Sequence, residues 1–124
     1  EPLARDETNF VTTVDEAAEV VAAIGSPAFR TMVDCAATGR NGEDPAALLD
    51  RTLPGGLIAH VQVNDPSRRG PGEGDMRFAP VLGALERHGY AGWVAVEPFV
   101  YVPDGPACAA RAIGYLRGVR EGLA

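Results

Sequence analysis

Two kinds of apolar spacing alternate along the chain. Four stretches place apolar residues at helical intervals, and three short runs between them are continuous or strictly alternating, as strands are. Thr13-Val-Asp-Glu16 is a capping-box pattern, and Val14, Ala17, Val21 and Ile24 share one face before Gly25, which predicts a helix ending at Ile24. Pro27 resets the chain, and Phe29 to Asp34 reads as a buried strand. Asp44-Pro45 opens a second helix that runs to about Leu53, where Pro54-Gly-Gly breaks it. Leu57 to Val63 is the clearest strand, with His60, Gln62 and Asn64 on one face and Val61 and Val63 on the other.

A polar loop rich in Gly, Pro, Ser and Arg follows over residues 64 to 77. Phe78 to His88 predicts a third helix, stopped by Gly89, and Gly92 to Glu97 a third strand, ended by Pro98. Asp104-Gly-Pro106 starts the last helix, whose expected core stripe is Ala109, Ile113, Leu116 and Val119.

Strands alternating with helices predict an α/β fold, with a parallel sheet and right-handed crossovers. The layout is that of a (β/α)₈ barrel, where reactive groups gather at the C-terminal ends of the strands. Such a barrel needs about 250 residues, and this chain has 124. The expectation is therefore one partial domain over 1–124, and the chain, which opens on Glu1-Pro-Leu, reads as a fragment.

Composition narrows the function. The net charge is −6, and all eleven basic residues are Arg. An acidic surface argues against nucleic acid, although an Arg fork still binds an oxygen anion locally. The sequence has no signal peptide and no stretch apolar enough for a membrane, so a cytoplasmic location is expected. Cys35 and Cys108 are expected to be reduced and mostly buried, and Cys35 lacks an evident His to activate it as a nucleophile.

Four metal-seeking side chains stand at or near strand tips: Glu1, Asp34, Gln62 and Glu97. Three carboxylates and one amide oxygen, if they converge, suit a hard divalent cation. Plainer readings stand beside this one. Asp34 also fits a helix cap, Gln62 a core hydrogen bond and Glu97 a loop carboxylate. His60 reads as a core histidine, and His88 as a helix end where a cation suits the dipole. Gly70-Pro-Gly-Glu-Gly lacks the Lys-Ser/Thr of a phosphate loop.

Six blocks carry a resemblance. They are Glu1-Pro-Leu-Ala-Arg5-Asp-Glu7-Thr-Asn-Phe, Met-Val-Asp34, Ala-His60-Val-Gln62-Val-Asn-Asp, Ser-Arg68-Arg69-Gly-Pro-Gly-Glu73-Gly, Gly89-Tyr-Ala-Gly-Trp and Val-Glu97-Pro-Phe. In this order the chain resembles the sugar phosphate isomerase/epimerase superfamily of xylose isomerase-like TIM barrels, near ketose 3-epimerases and hydroxypyruvate isomerases. The likeness covers the C-terminal half of such a barrel, from the tip of strand five to the last helix.

The resemblance implies a divalent metal, Mn²⁺ or Mg²⁺ with Co²⁺ or Zn²⁺ also compatible, held by Glu1, Asp34, Gln62 and Glu97. It implies proton transfer by Glu1 and Glu97 through a metal-bound enediolate, and substrate binding by Arg68 and Glu7. Gln62 stands where the epimerases usually carry His. Ala37 departs from the family, whose members usually place a substrate-binding His three residues after the Asp ligand.

The implied activity is that of a metal-dependent sugar or hydroxy-keto-acid isomerase/epimerase, with little or no turnover expected from the chain alone. The alternatives are a metal-dependent dehydratase on the same barrel and a non-catalytic half-barrel. Open sheet edges predict assembly with a second copy or with the missing N-terminal half.

Overall fold

β1 (Thr31–Asp34), β2 (Ile58–Gln62) and β3 (Trp93–Ala95) lie side by side in that order, and both pairings are parallel. The computed structural model describes residues 1–124. Helices link the strands: α1 (Val14–Ile24) precedes β1, α2 (Cys35–Arg40) and α3 (Pro45–Thr52) separate β1 from β2, α4 (Ala79–Arg87) separates β2 from β3, and α5 (Gly105–Glu121) follows. This is the expected α/β order, about half of a TIM barrel.

The pleat sorts the strands into two faces. Val33, Val61 and Val94 are paired across the sheet on one face. Val33, Val61 and Val63 have no exposed surface, and they pack in one core with Leu49 of α3, Phe78, and Val81 and Ala84 of α4. Burying each such side chain stabilises the fold by roughly 1.5–3 kcal/mol, so this layer anchors the sheet. On the opposite face Met32, His60 and Trp93 form one cross-strand row, and Asp34, Gln62 and Ala95 form the next. Trp93 is 82% exposed. That face is open at its base and polar at its tip.

The helix starts follow the sequence closely. Thr13 caps α1 in a reciprocal capping box with Glu16, and Asp44 caps α3 ahead of Pro45. Two expectations need correction. The buried positions of α5 are Cys108 and Ala112, whereas Ala109 and Ile113 are exposed. The stripe is displaced because Ile113 faces a groove of about 380 Å³ between α4 and α5, lined also by Leu82, Tyr90 and Val94. Likewise the buried face of α1 covers Val14 and Ala17 but leaves Ile24 half exposed.

α2 was not expected as a helix. Its six residues follow β1 without a linker, because Asp34 ends the strand and caps the helix at once. No helix in the chain is long and apolar enough to cross a membrane.

Candidate metal centre

Asp34 is built into two elements. Its Oδ1 accepts the N–H of Ala36 at 2.7 Å and of Ala37 at 3.1 Å, closing the first turn of α2. Oδ2 takes no part in the cap. Both sequence readings therefore fit together, with one oxygen for the helix and one left for a ligand.

Glu97 lies two residues past β3, on the same face as Trp93 and Ala95. Its backbone N–H donates to Oδ1 of Asn64, which follows β2 by two residues and is 1% exposed. Glu1 is placed by the segment behind it. The Leu3 N–H donates to the Val11 carbonyl, and Asn41 ties that segment to α2. Asn41 Oδ1 accepts from Arg5 N at 2.8 Å and its Nδ2 donates to Thr12 O at 2.9 Å.

These three supports bring Glu1, Asp34 and Glu97 together, with ligand oxygens all within 4.8 Å of one another. Oxygens on opposite sides of one hard divalent cation stand about 4.0–5.2 Å apart, from Mg²⁺ at the short end to Ca²⁺ at the long end, so a shared ion fits the spacing. Gln62 lies beside Asp34 in register, and its amide oxygen is buried with no hydrogen-bond partner. An orphaned buried acceptor costs stability unless something fills it. His60 stays one row deeper, level with Met32 and Trp93.

The electrostatics point the same way. Burial pushes the Glu1 carboxyl above its ordinary range, and the Asp34 and Glu97 carboxylates push it further. Burial likewise raises the Asp34 carboxyl, against the pull of its two backbone donors. The cluster resists its own charge and gains from a cation.

A cavity of about 280 Å³ opens over the cluster, lined by Glu1, Glu7, Asp34, Ala37, Arg40, Asn64, Arg68, Glu97 and Phe99. Four carboxylates and two guanidinium groups line it, so carboxylates outnumber guanidinium groups around the cluster. The donor set, its charge and the orphaned Gln62 oxygen fit a hard divalent cation. Burial pushes the Cys35 thiol far up, with Asp34 adding to the shift, so Cys35 is not an activated nucleophile. Both cysteines are free and buried, as expected.

Arg68 reaches the cavity from the loop after β2. Its backbone is left-handed at φ 69°, which is uncommon without glycine. Its carbonyl accepts the N–H groups of Phe99 at 2.8 Å and Val100 at 3.0 Å, and its guanidinium carbon lies 4.9 Å from the centre of the Phe99 ring. Asp65 braces this loop, accepting from Ser67 N and Met76 N at 2.8 Å each. Gly74 is required beside it, because a Cβ there would stand 2.1 Å from the Asp65 carboxyl.

The sequence reading missed Arg40. It lines the cavity one turn beyond Ala37 and pairs with Glu7 at 2.8 Å and Asp6 at 2.5 Å. The spacing of Ala36, Ala37 and Arg40 on one helical face could have found it, had α2 been expected.

A family model described as xylose isomerase-like TIM barrel matches residues 1–119. The fold is shared with 3-keto-D-glucoside 4-epimerase from E. coli, at TM-score 0.80 and 22% identity over 97% of this chain and 44% of that one. D-Psicose 3-epimerase from Clostridium cellulolyticum H10, with D-tagatose, gives 0.80 and 22% over 97% and 47%. Another D-psicose 3-epimerase, in the presence of D-fructose, gives 0.82 and 25% over 95% and 47%. The chain spans a little under half the length of each of these proteins.

Proposed function

The chain belongs to the xylose isomerase-like TIM barrel family, and from that premise we propose that it carries the metal-binding and proton-moving half of a sugar or hydroxy-keto-acid isomerase or epimerase. The observation behind this is the convergence of Glu1, Asp34 and Glu97 within 4.8 Å, under a cavity of sugar size. Glu1, Asp34, Gln62 and Glu97 hold a divalent cation, Mn²⁺ or Mg²⁺. When bound, that cation acts as a Lewis acid that stabilises negative charge beside the carbon losing its proton.

The chain's own groups supply the rest. Glu1 and Glu97 come from separate segments, so one takes the proton from the substrate carbon and the other returns it from a different side. Inversion at a carbon requires such an arrangement, because a single base would return the proton to the face it left. Asp34, with Oδ1 committed to α2, keeps the cluster in place and does not move a proton. Arg68, steadied by Phe99, offers N–H donors to a substrate oxygen, and Glu7, which also lines the cavity, accepts from a hydroxyl.

Mn²⁺ titration followed by electron paramagnetic resonance, then incubation with D-fructose, tests the proposal. The expected result is one Mn²⁺ site lost in Glu97→Gln and, once the chain is joined to the other half of the barrel, a product epimeric at one carbon. No Mn²⁺ uptake, or a product that has lost water, overturns it, the latter in favour of a dehydratase.

A further inference from the structure

Asn64 is the most completely buried polar side chain around the cavity. It is 1% exposed, yet it lines the same space as Asp34, Arg68 and Glu97. Its amide orientation is fixed by chemistry: the Glu97 backbone N–H can only donate, so the oxygen of Asn64 must face it. That leaves Nδ2 pointing elsewhere, and Nδ2 is buried with no hydrogen-bond acceptor. A buried amide with one half satisfied and two N–H donors idle is a costly arrangement unless an acceptor arrives.

Two residues earlier on the same face, Gln62 has the converse defect, a buried amide oxygen with no partner. The tip of β2 thus presents a vacant acceptor and, next to it, a vacant donor. A cation answers the first. A neutral oxygen held near that cation answers the second.

We infer that Asn64 is a substrate-binding residue that reads one hydroxyl or carbonyl oxygen of the sugar through Nδ2, while its Oδ1 holds the Glu97 backbone in place. The role is double. One amide group couples the position of the Glu97 carboxylate to the presence of a substrate oxygen. The substrate class is a polyhydroxy carbonyl compound with an acceptor oxygen within reach of Nδ2. This rests on the isomerase reading above.

Asn64→Asp separates the two halves of the role, since it keeps an oxygen for the Glu97 N–H and loses the donor. Calorimetry on the Mn²⁺-loaded protein with D-fructose reads the difference. The expected result is a loss of about tenfold or more in D-fructose affinity, with Mn²⁺ binding in the absence of sugar retained. In the wild-type protein labelled with ¹⁵N, the Asn64 side-chain amide resonance is expected to shift when D-fructose is added to the Mg²⁺ form.

A variant that binds D-fructose as the wild type does, or an amide signal that stays put while sugar binds, overturns the Asn64 assignment and leaves the isomerase reading standing. Wild-type protein that takes up neither Mn²⁺ nor D-fructose overturns both.

Discussion

The Arg40 guanidinium grips the Glu7 carboxylate at 2.8 Å, bridging α2 to the segment that carries Glu1. Its second nitrogen holds Asp6, so the pair forms a clasp at the cavity wall. Solvent reaches both acids, and such pairs add little to folding. Their value is positional. Arg40→Ala is expected to leave the melting temperature near that of the wild type and, in the assembled barrel, to raise the KM for a ketose several-fold, with kcat changed less. Steady-state kinetics against a melting curve separate the two effects.

Asp34 shares its oxygens between a helix and the proposed ion, which predicts a split between two substitutions. Asp34→Asn keeps a good cap, so unfolding stability should stay within about 0.5 kcal/mol, while Mn²⁺ affinity falls by at least tenfold. Asp34→Ala should lose the cap as well, at about 0.5–2 kcal/mol. Denaturant melts beside metal titrations measure both quantities.

Gln62 offers the opposite trade. Replacing a buried, unpartnered amide by a similar apolar shape removes a desolvation cost. Gln62→Leu should therefore stabilise the metal-free protein, by about 1 kcal/mol, and abolish the stabilisation that added Mn²⁺ brings. Thermal melts with and without the ion give the answer.

The loop carrying Arg68 should show its own response to acid. Burial tends to raise the Asp65 carboxyl, but hydrogen bonds from Ser67 and the Met76 N–H outweigh it, leaving the group below its ordinary value of 3.8. A depressed carboxyl contributes stability that is present above 3.8 and is lost as pH falls through the lower folded value. Asp65→Asn should flatten the stability profile in that acid window and leave it unchanged near neutrality. Unfolding free energies of the two proteins across the window test this.

Gly74→Ala should disturb the same loop by crowding, because the new Cβ would meet the Asp65 carboxyl. Overpacking of this kind typically costs about 1–3 kcal/mol. Arg68 is expected to lose its fixed position, so ketose affinity should fall although residue 74 does not line the cavity. A crystal structure of the variant with displaced density for Arg68 would be decisive.

Much of this arrangement was legible in the residues. The strands could be read because Val33, Val61 and Val63 demand a buried face and the polar residues at their tips do not share it. Glu1, Asp34 and Glu97 stood out because each is a charge close to an apolar run. What escaped was set by tertiary contact. α2 is too short for periodicity to reveal, and its cap was also a candidate ligand. The buried side of α5 turned on which neighbour its first turns met, which no spacing along one helix encodes. Asn64 looked like the first residue of a polar loop, and its importance lies in the Glu97 backbone it touches across the sheet.

The left-handed backbone of Arg68 separates two properties that usually fail together. Most residues there would prefer another conformation, and glycine alone would sit at ease. Arg68→Gly should therefore subtract the chemistry while sparing the architecture, since the carbonyl that receives Phe99 and Val100 remains. On the proposed reading, an arginine at so awkward a bend gives up backbone comfort for a hand at the substrate.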